Sequence, residues 1–171
     1  MSRKPFFILI SLVLASLGTF AQTDQIPETD PVITNRISQW QDLKFGFMMH
    51  WGIYAQWGVV ESWSICNEPW INRDGADYYQ YKTDYQNLNK TFNPKHFDPE
   101  KWAEAAKEAG MKYVVFTTKH HDGFCLFNTK ETSYSTIDPS CPFSKNPKAD
   151  ITGAVVNAFR EKGLWTGNDP S

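Results

Sequence analysis

The sequence lacks a cationic excess: 17 Lys and Arg stand against 19 Asp and Glu in 171 residues. Binding to nucleic acid or to an anionic membrane surface needs a positive face, so neither partner is expected. Zinc-type cysteine spacing is also missing. Cys66, Cys125 and Cys141 match no ligand pattern, and their odd number leaves at least one outside any internal disulfide. Buried thiols or a single disulfide fit that count. There is no charge run and no low-complexity tract. The longest apolar run, Phe6 to Leu17, is broken by Ser11 and Ser16 and is short for a membrane span.

That run has a different meaning. Arg3 and Lys4 precede it, and Thr19-Phe20-Ala21 puts small residues at the two positions a signal peptidase reads. Residues 1–21 are therefore expected to be a secretory signal. The mature protein would be exported, periplasmic or extracellular, or lysosomal in a eukaryote. Removing residues 1–21 from 171 leaves 150, enough for one core-bearing domain, and leaves 15 basic against 19 acidic side chains. Residues 22–35, polar with two prolines, are expected to form a flexible lead-in. Residues 36–171 would hold the folded part.

Aromatic residues are what the chain has in plenty: 15% Phe, Trp and Tyr, with seven Trp. Sugar rings present flat C–H faces that stack on aromatic rings, so an exported, mildly acidic, aromatic-rich chain fits carbohydrate chemistry.

Periodicity gives the order of elements. Ile37, Trp40 and Leu43 recur at helical spacing, and Lys44 to Met49 is a short apolar run ending at His50, read as a buried strand. Trp51 to Phe97 has no sustained period and reads as a long ordered loop, with a short helix near Asp77–Tyr81. Asp98-Pro99-Glu100 then opens a helix with Trp102, Ala105, Ala106 and Ala109 on one face and Gly110 closing it. Lys112 to Thr118 is the strongest strand and runs into Lys119-His120-His121-Asp122-Gly123. A second helix begins near Asp150, with Ile151, Val155 and Phe159 inward, and Leu164 to Gly167 begins a third strand. Alternating strands and helices predict a parallel sheet. A dinucleotide-binding sheet would need a Gly-rich turn after its first strand, and His50-Trp51-Gly52 is not one. The expected fold is thus α/β, a partial (β/α)8 TIM-like barrel: about three strands with two crossover helices.

In such barrels the active face lies at the C-terminal strand ends. His50 ends the first strand, and His120 and His121 end the second, so three of the four histidines fall on one rim. One histidine there would read as an ordinary polar residue finishing a strand; three at matching ends favour a site. Adjacent residues of an extended strand point opposite ways, so His120 and His121 can share one hollow only if the chain turns there, which Gly123 permits. A metal set would also need a carboxylate, and spacing fixes none. Trp51, Trp57, Trp63 and Trp70 favour a sugar, with at least two of them expected to be packing residues. His96 is read as structural. Hydrolysis of a glycoside needs two carboxyl groups. Glu61 and Glu68 are loop candidates, and Asp122 beside Gly123 reads as a turn residue.

Three segments resemble the α-L-fucosidases of glycoside hydrolase family 29: Lys44-Phe45-Gly46-Phe47-Met48-Met49-His50-Trp51-Gly52-Ile53-Tyr54, Phe97-Asp98-Pro99-Glu100-Lys101-Trp102-Ala103, and Lys112-Tyr113-Val114-Val115 through Lys119-His120-His121-Asp122-Gly123-Phe124. The resemblance implies a (β/α)8-like catalytic domain followed by a β-sandwich, and a retaining mechanism with neither metal nor organic cofactor. It also implies a fucosylated oligosaccharide or glycoprotein glycan as partner. His50, His120 and His121 match positions that contact fucose hydroxyls. An acidic residue of the first long loop belongs to the same site, with Glu61 the first choice and Glu68 the next, and Trp63 flanks the sugar. The family's nucleophile, an Asp at the fourth strand end, and its general acid fall beyond Ser171. No catalytic carboxylate is therefore assigned within the sequence. The chain is expected to be an N-terminal fragment, inactive alone, since a complete barrel takes about 250 residues. Two alternatives stay open: a non-catalytic fucose- or glycan-binding remnant, and another sugar hydrolase on the same barrel.

Overall fold

A computed structural model describes residues 27–73 and 77–167. The expected signal segment lies outside them. The chain divides into two compact units, residues 1–38 and 39–171. In the first, the described residues enter helix α1 (Pro31–Leu43), which runs on into the second unit. This corrects the lead-in reading, because residues 31–35 are helical. Asp30 explains the early start: its Oδ1 accepts from the Val32 amide at 2.8 Å, and Pro31 brings a backbone φ already suited to a first helical turn.

The second unit is built on strands β1 (Gly46–Met49) and β2 (Tyr113–Phe116), which pair in parallel with Gly46 opposite Tyr113 and Met49 opposite Phe116. Gly46 is required by its partner, since a Cβ there would meet the Tyr113 ring at 2.3 Å. The Leu164–Gly167 segment falls short of the third strand expected. It adds one parallel bridge, Tyr113 to Trp165, in which the Trp165 amide donates to the Lys112 carbonyl at 2.9 Å. Among the described residues the sheet is therefore two-stranded.

Helix α2 (Tyr78–Gln86) lies inside the long loop, about where a short helix was expected but longer, with Asp77 capping it. Helices α3 (Pro99–Glu108) and α4 (Ile151–Glu161) pack together on one side of the sheet. Each starts where an aspartate caps it: Asp98 accepts from the Lys101 amide at 3.1 Å and Asp150 from the Gly153 amide at 2.9 Å. Helix α4 buries Ile151, Val155 and Phe159 as its periodicity predicted. Helix α3 differs by a small rotation. Ala103 and Ala106 are buried, whereas Ala105 and Ala109 face solvent, because half-buried Trp102 turns its ring toward Trp51 and Phe97.

The core joins the helices to the loop through aromatic rings. Phe47 of β1 packs on Phe159 with ring centroids 5.3 Å apart, and Trp51 stacks on Phe97 with planes 10° apart. Phe92 meets Phe124 and Phe143 edge-on. The opposite face of the sheet stays open: Met48 is 65% exposed and Val115, its register partner, 39%. The unbroken apolarity of these strands fits burial on both faces, and the described residues cover one.

Candidate functional site

The chain leaves β1 at His50 and β2 at Thr117. Because the strands run in parallel with matched register, both exits lie on the same edge of the sheet. There the Thr117 amide donates to the Met49 carbonyl at 3.1 Å, and Thr117 Oγ1 lies 3.2 Å from His50 Nδ1. Three residues later a tight turn closes, with the Gly123 amide donating to the His120 carbonyl at 3.1 Å. Gly123 has φ +81°, a backbone geometry that side chains resist. The turn carries His120 and His121 out of strand geometry, so their rings lie 4.8 Å apart on one side rather than alternating. The rings of His50 and His120 are 5.8 Å apart. The three histidines expected on one rim do converge.

Glu61 is the group that unites them. Its Oε2 lies 2.9 Å from His120 Nε2, and its Oε1 lies 3.4 Å from His50 Nδ1. Trp63 Nε1 donates to Oε2 at 3.0 Å. Glu61 holds this place with φ +48°, a left-handed conformation that is strained for a residue with a side chain. Such strain persists where surrounding structure enforces it, and it gathers at functional sites. Of the two loop carboxylates weighed from sequence, the structure brings Glu61 into the cluster. Glu68 is exposed farther along the loop and is not part of it.

An ionised carboxylate only accepts hydrogen bonds, so His120 Nε2 must carry a hydrogen toward Glu61. Its other nitrogen, Nδ1, is hydrogen-bonded to Ser62 Oγ. His120 is thus gripped at both ends, and its side chain is only 9% exposed, against 36% for His50. Trp63, 47% exposed, sets its ring 6.4 Å from His120 and 5.9 Å from His121, beside the same cluster. Ser62 and Thr117 were missed in the sequence. A serine next to a candidate acid and a threonine at a strand end carry no pattern of their own.

A buried tier supports the rim. Tyr54 lies under it with its ring 5.8 Å from His120. Burial, reinforced by the negative charges of Glu61 and Asp122, pushes its phenol up to about 12. Asp122 is the turn residue its neighbour Gly123 suggested, its Oδ1 accepting from the Phe124 amide at 3.0 Å, but its Oδ2 also accepts from the Tyr85 hydroxyl. Arg73 fastens the loop, donating to the Ser64 carbonyl at 3.0 Å and to the Cys66 carbonyl while lying over the Tyr78 ring. Trp51 and Trp57 are packing residues, Trp57 resting edge-on against Tyr81 and Tyr85, while Trp70 is exposed. His96 is an exposed residue of the turn before α3. All three cysteines are free thiols, with Cys125 and Cys141 buried.

Alternating imidazole donors and carboxylate acceptors beside an exposed indole suit a polyhydroxylated ring, since each hydroxyl can both give and accept a hydrogen bond. The comparison with known proteins agrees. The family profile described as Alpha-L-fucosidase matches residues 12–169. The chain belongs to the α-L-fucosidase family. It is 29% identical over 173 residues to the tissue α-L-fucosidase of Macaca fascicularis, covering 95% of this chain and 36% of that protein. Among solved structures, α-L-fucosidase isoenzyme 1 from Paenibacillus thiaminolyticus superposes with TM-score 0.62 at 36% identity, covering 78% of this chain and 28% of that one. An α-L-fucosidase of glycoside hydrolase family 29 from Bacteroides thetaiotaomicron gives 0.60 at 32% identity, covering 84% and 30%. The chain thus spans about a third of the length of the curated fucosidases it matches. Among the described residues, no helix is long and apolar enough to cross a membrane.

Proposed function

We propose that this chain supplies the fucose-binding rim of an exported, retaining α-L-fucosidase, and that β1 and β2 are neighbouring staves of its (β/α)8 barrel. The substrates are terminal α-L-fucosyl residues of oligosaccharides or glycoprotein glycans. The observation that carries this reading is the contact of Glu61 with both His50 and His120 at two adjacent strand ends. In the bound state His50 and His121 donate to sugar hydroxyls, His120 exchanges its bond to Glu61 for one to a hydroxyl, Glu61 accepts from another, and Trp63 covers an apolar face of the ring. Export is proposed from the leader pattern of residues 1–21.

A retaining glycosidase needs a nucleophilic carboxylate and a general acid about 5–5.5 Å apart. Glu61 fits neither role, because both its oxygens already face imidazoles and an indole N–H. Its part is to hold the rim and the sugar. By family resemblance the nucleophile and the acid are other carboxyl groups, so the histidines and Glu61 bind the sugar without supplying either.

The test is to establish a cooperative melt for the purified chain, titrate it calorimetrically with L-fucose, and incubate it with an aryl α-L-fucoside. Saturable binding that is lost in His120→Ala, without release of aryl alcohol, is the expected result. Saturable release of aryl alcohol overturns the division of labour. A folded chain that ignores L-fucose overturns the site.

A further inference from the structure

The same trio has the makings of a second kind of ligand set. One donor atom from each of His50, Glu61 and His120 lies within 4.8 Å of the other two. His50 Nδ1 lies 3.4 Å from Glu61 Oε1 and His120 Nε2 lies 2.9 Å from Glu61 Oε2, so each imidazole nitrogen faces its own oxygen of the one carboxylate. The three residues come from the end of β1, the loop and the end of β2, so the set is held by tertiary structure and not by a mobile segment. We propose that His50, Glu61 and His120 bind one divalent transition-metal ion, of which zinc is the representative.

Ligand chemistry selects the class. Two imidazoles and one carboxylate suit borderline ions such as zinc or copper, whereas magnesium and calcium favour oxygen-only cages. Ser62 supplies the supporting contact that ligating histidines require. When the ion takes Nε2 of His120, the hydrogen moves to Nδ1, which then donates to Ser62 Oγ; the ring stays neutral and no atom is left over. Glu61 cannot drift, since its backbone and the Trp63 N–H hold it in place. His50 and Glu61 remain partly exposed, at 36% and 27% of their side chains, which leaves the ion open to water on one side. The ion is not an agent of turnover. It occupies the donors the sugar would use, so cation and fucose exclude each other; that consequence, and only that, rests on the sugar reading.

Zinc is titrated calorimetrically into the full chain after treatment with EDTA, in a Cys66→Ser background that removes the exposed thiol. One saturable ion per chain is expected. His120→Ala or Glu61→Gln weakens it at least tenfold, and Ser62→Ala weakens it about tenfold. His121→Ala leaves it unchanged, although that variant binds L-fucose less well. Glu61→Gln is isosteric, so it decides the matter if His120→Ala fails to fold. Absence of saturable zinc binding, or binding that survives both variants, overturns the proposal. Zinc bound with no affinity for L-fucose leaves the cation site standing and sinks the sugar reading. Fucose bound with no affinity for zinc does the reverse.

Discussion

Tyr85 of helix α2 donates its phenolic hydrogen to Asp122 Oδ2 at 2.6 Å, fastening the aromatic loop to the turn that aims His120 and His121. Tyr85 is fully buried and Asp122 half-buried, so the bond is largely screened from water on the tyrosine side. Tyr85→Phe leaves Asp122 with one donor fewer and should lower stability by about 1–3 kcal/mol. Asp122→Ala should cost more and weaken L-fucose binding as well, because it also frees the Phe124 amide and loosens the turn. Denaturant unfolding measures the first effect and calorimetry the second. An unchanged unfolding midpoint in Tyr85→Phe would refute the fastening role.

Alkaline pH provides an independent probe of the buried tier. Burial raises the phenols of Tyr54, Tyr85 and Tyr134, with Asp122 pushing the same way, and Tyr54 reaches about 12 against an ordinary 10.0. A raised pKa means that the folded state keeps its proton longer than the unfolded state. The associated stability is complete below pH 10 and drains away between 10 and 12. Unfolding midpoints should therefore fall across that window, and ultraviolet absorbance should show three of the seven tyrosines ionising late. Uniform ionisation of all seven near pH 10 would contradict this.

Glu61 trades stability for position. Both Glu61→Gly and Glu61→Ala remove the carboxylate, but only glycine accepts the left-handed backbone without strain. The glycine variant should be more stable than the alanine variant by about 1 kcal/mol, while both lose L-fucose binding. Thermal melts compared side by side settle the order, and an alanine variant of equal or greater stability would show that φ at this position is relaxed.

Phe159 is the contact by which α4 holds β1, its ring 5.3 Å from Phe47 and its side chain fully buried. Phe159→Ala should cost about 3–5 kcal/mol, a large part of the total for a small fold. Loss of the cooperative melt, with the far-ultraviolet signal of the helices reduced, is the expected outcome. A variant that melts like the parent would mean the sheet is held from elsewhere.

Much of this was legible in one dimension. Asp98 and Asp150 cap helices where their side chains can reach the third amide, and Ile151, Val155 and Phe159 face inward because their spacing matches one helical turn. The rim histidines were legible too, because parallel strands deliver their C-terminal ends to one edge. Less legible was the face of α3, where the size of Trp102 rotated the helix about its alanines. The start of α1 was also obscured, since residues 22–35 are polar and one of their two prolines sits at a first helical turn. The short third bridge at Trp165 was overestimated from local apolarity, which says nothing about pairing length.

By itself the sequence determined the caps, the two strands, the family and the residue types on the rim, all of which follow from local chemistry and periodicity. Only the tertiary structure decided that Glu61, and not Glu68, meets the histidines, and that Ser62, Thr117 and Asp122 hold the arrangement behind them. The reason is geometric: which side chains touch across a loop depends on where the chain folds back. A left-handed residue at position 61 and the Tyr85–Asp122 bond settle that path, and neither leaves a periodic mark in the sequence.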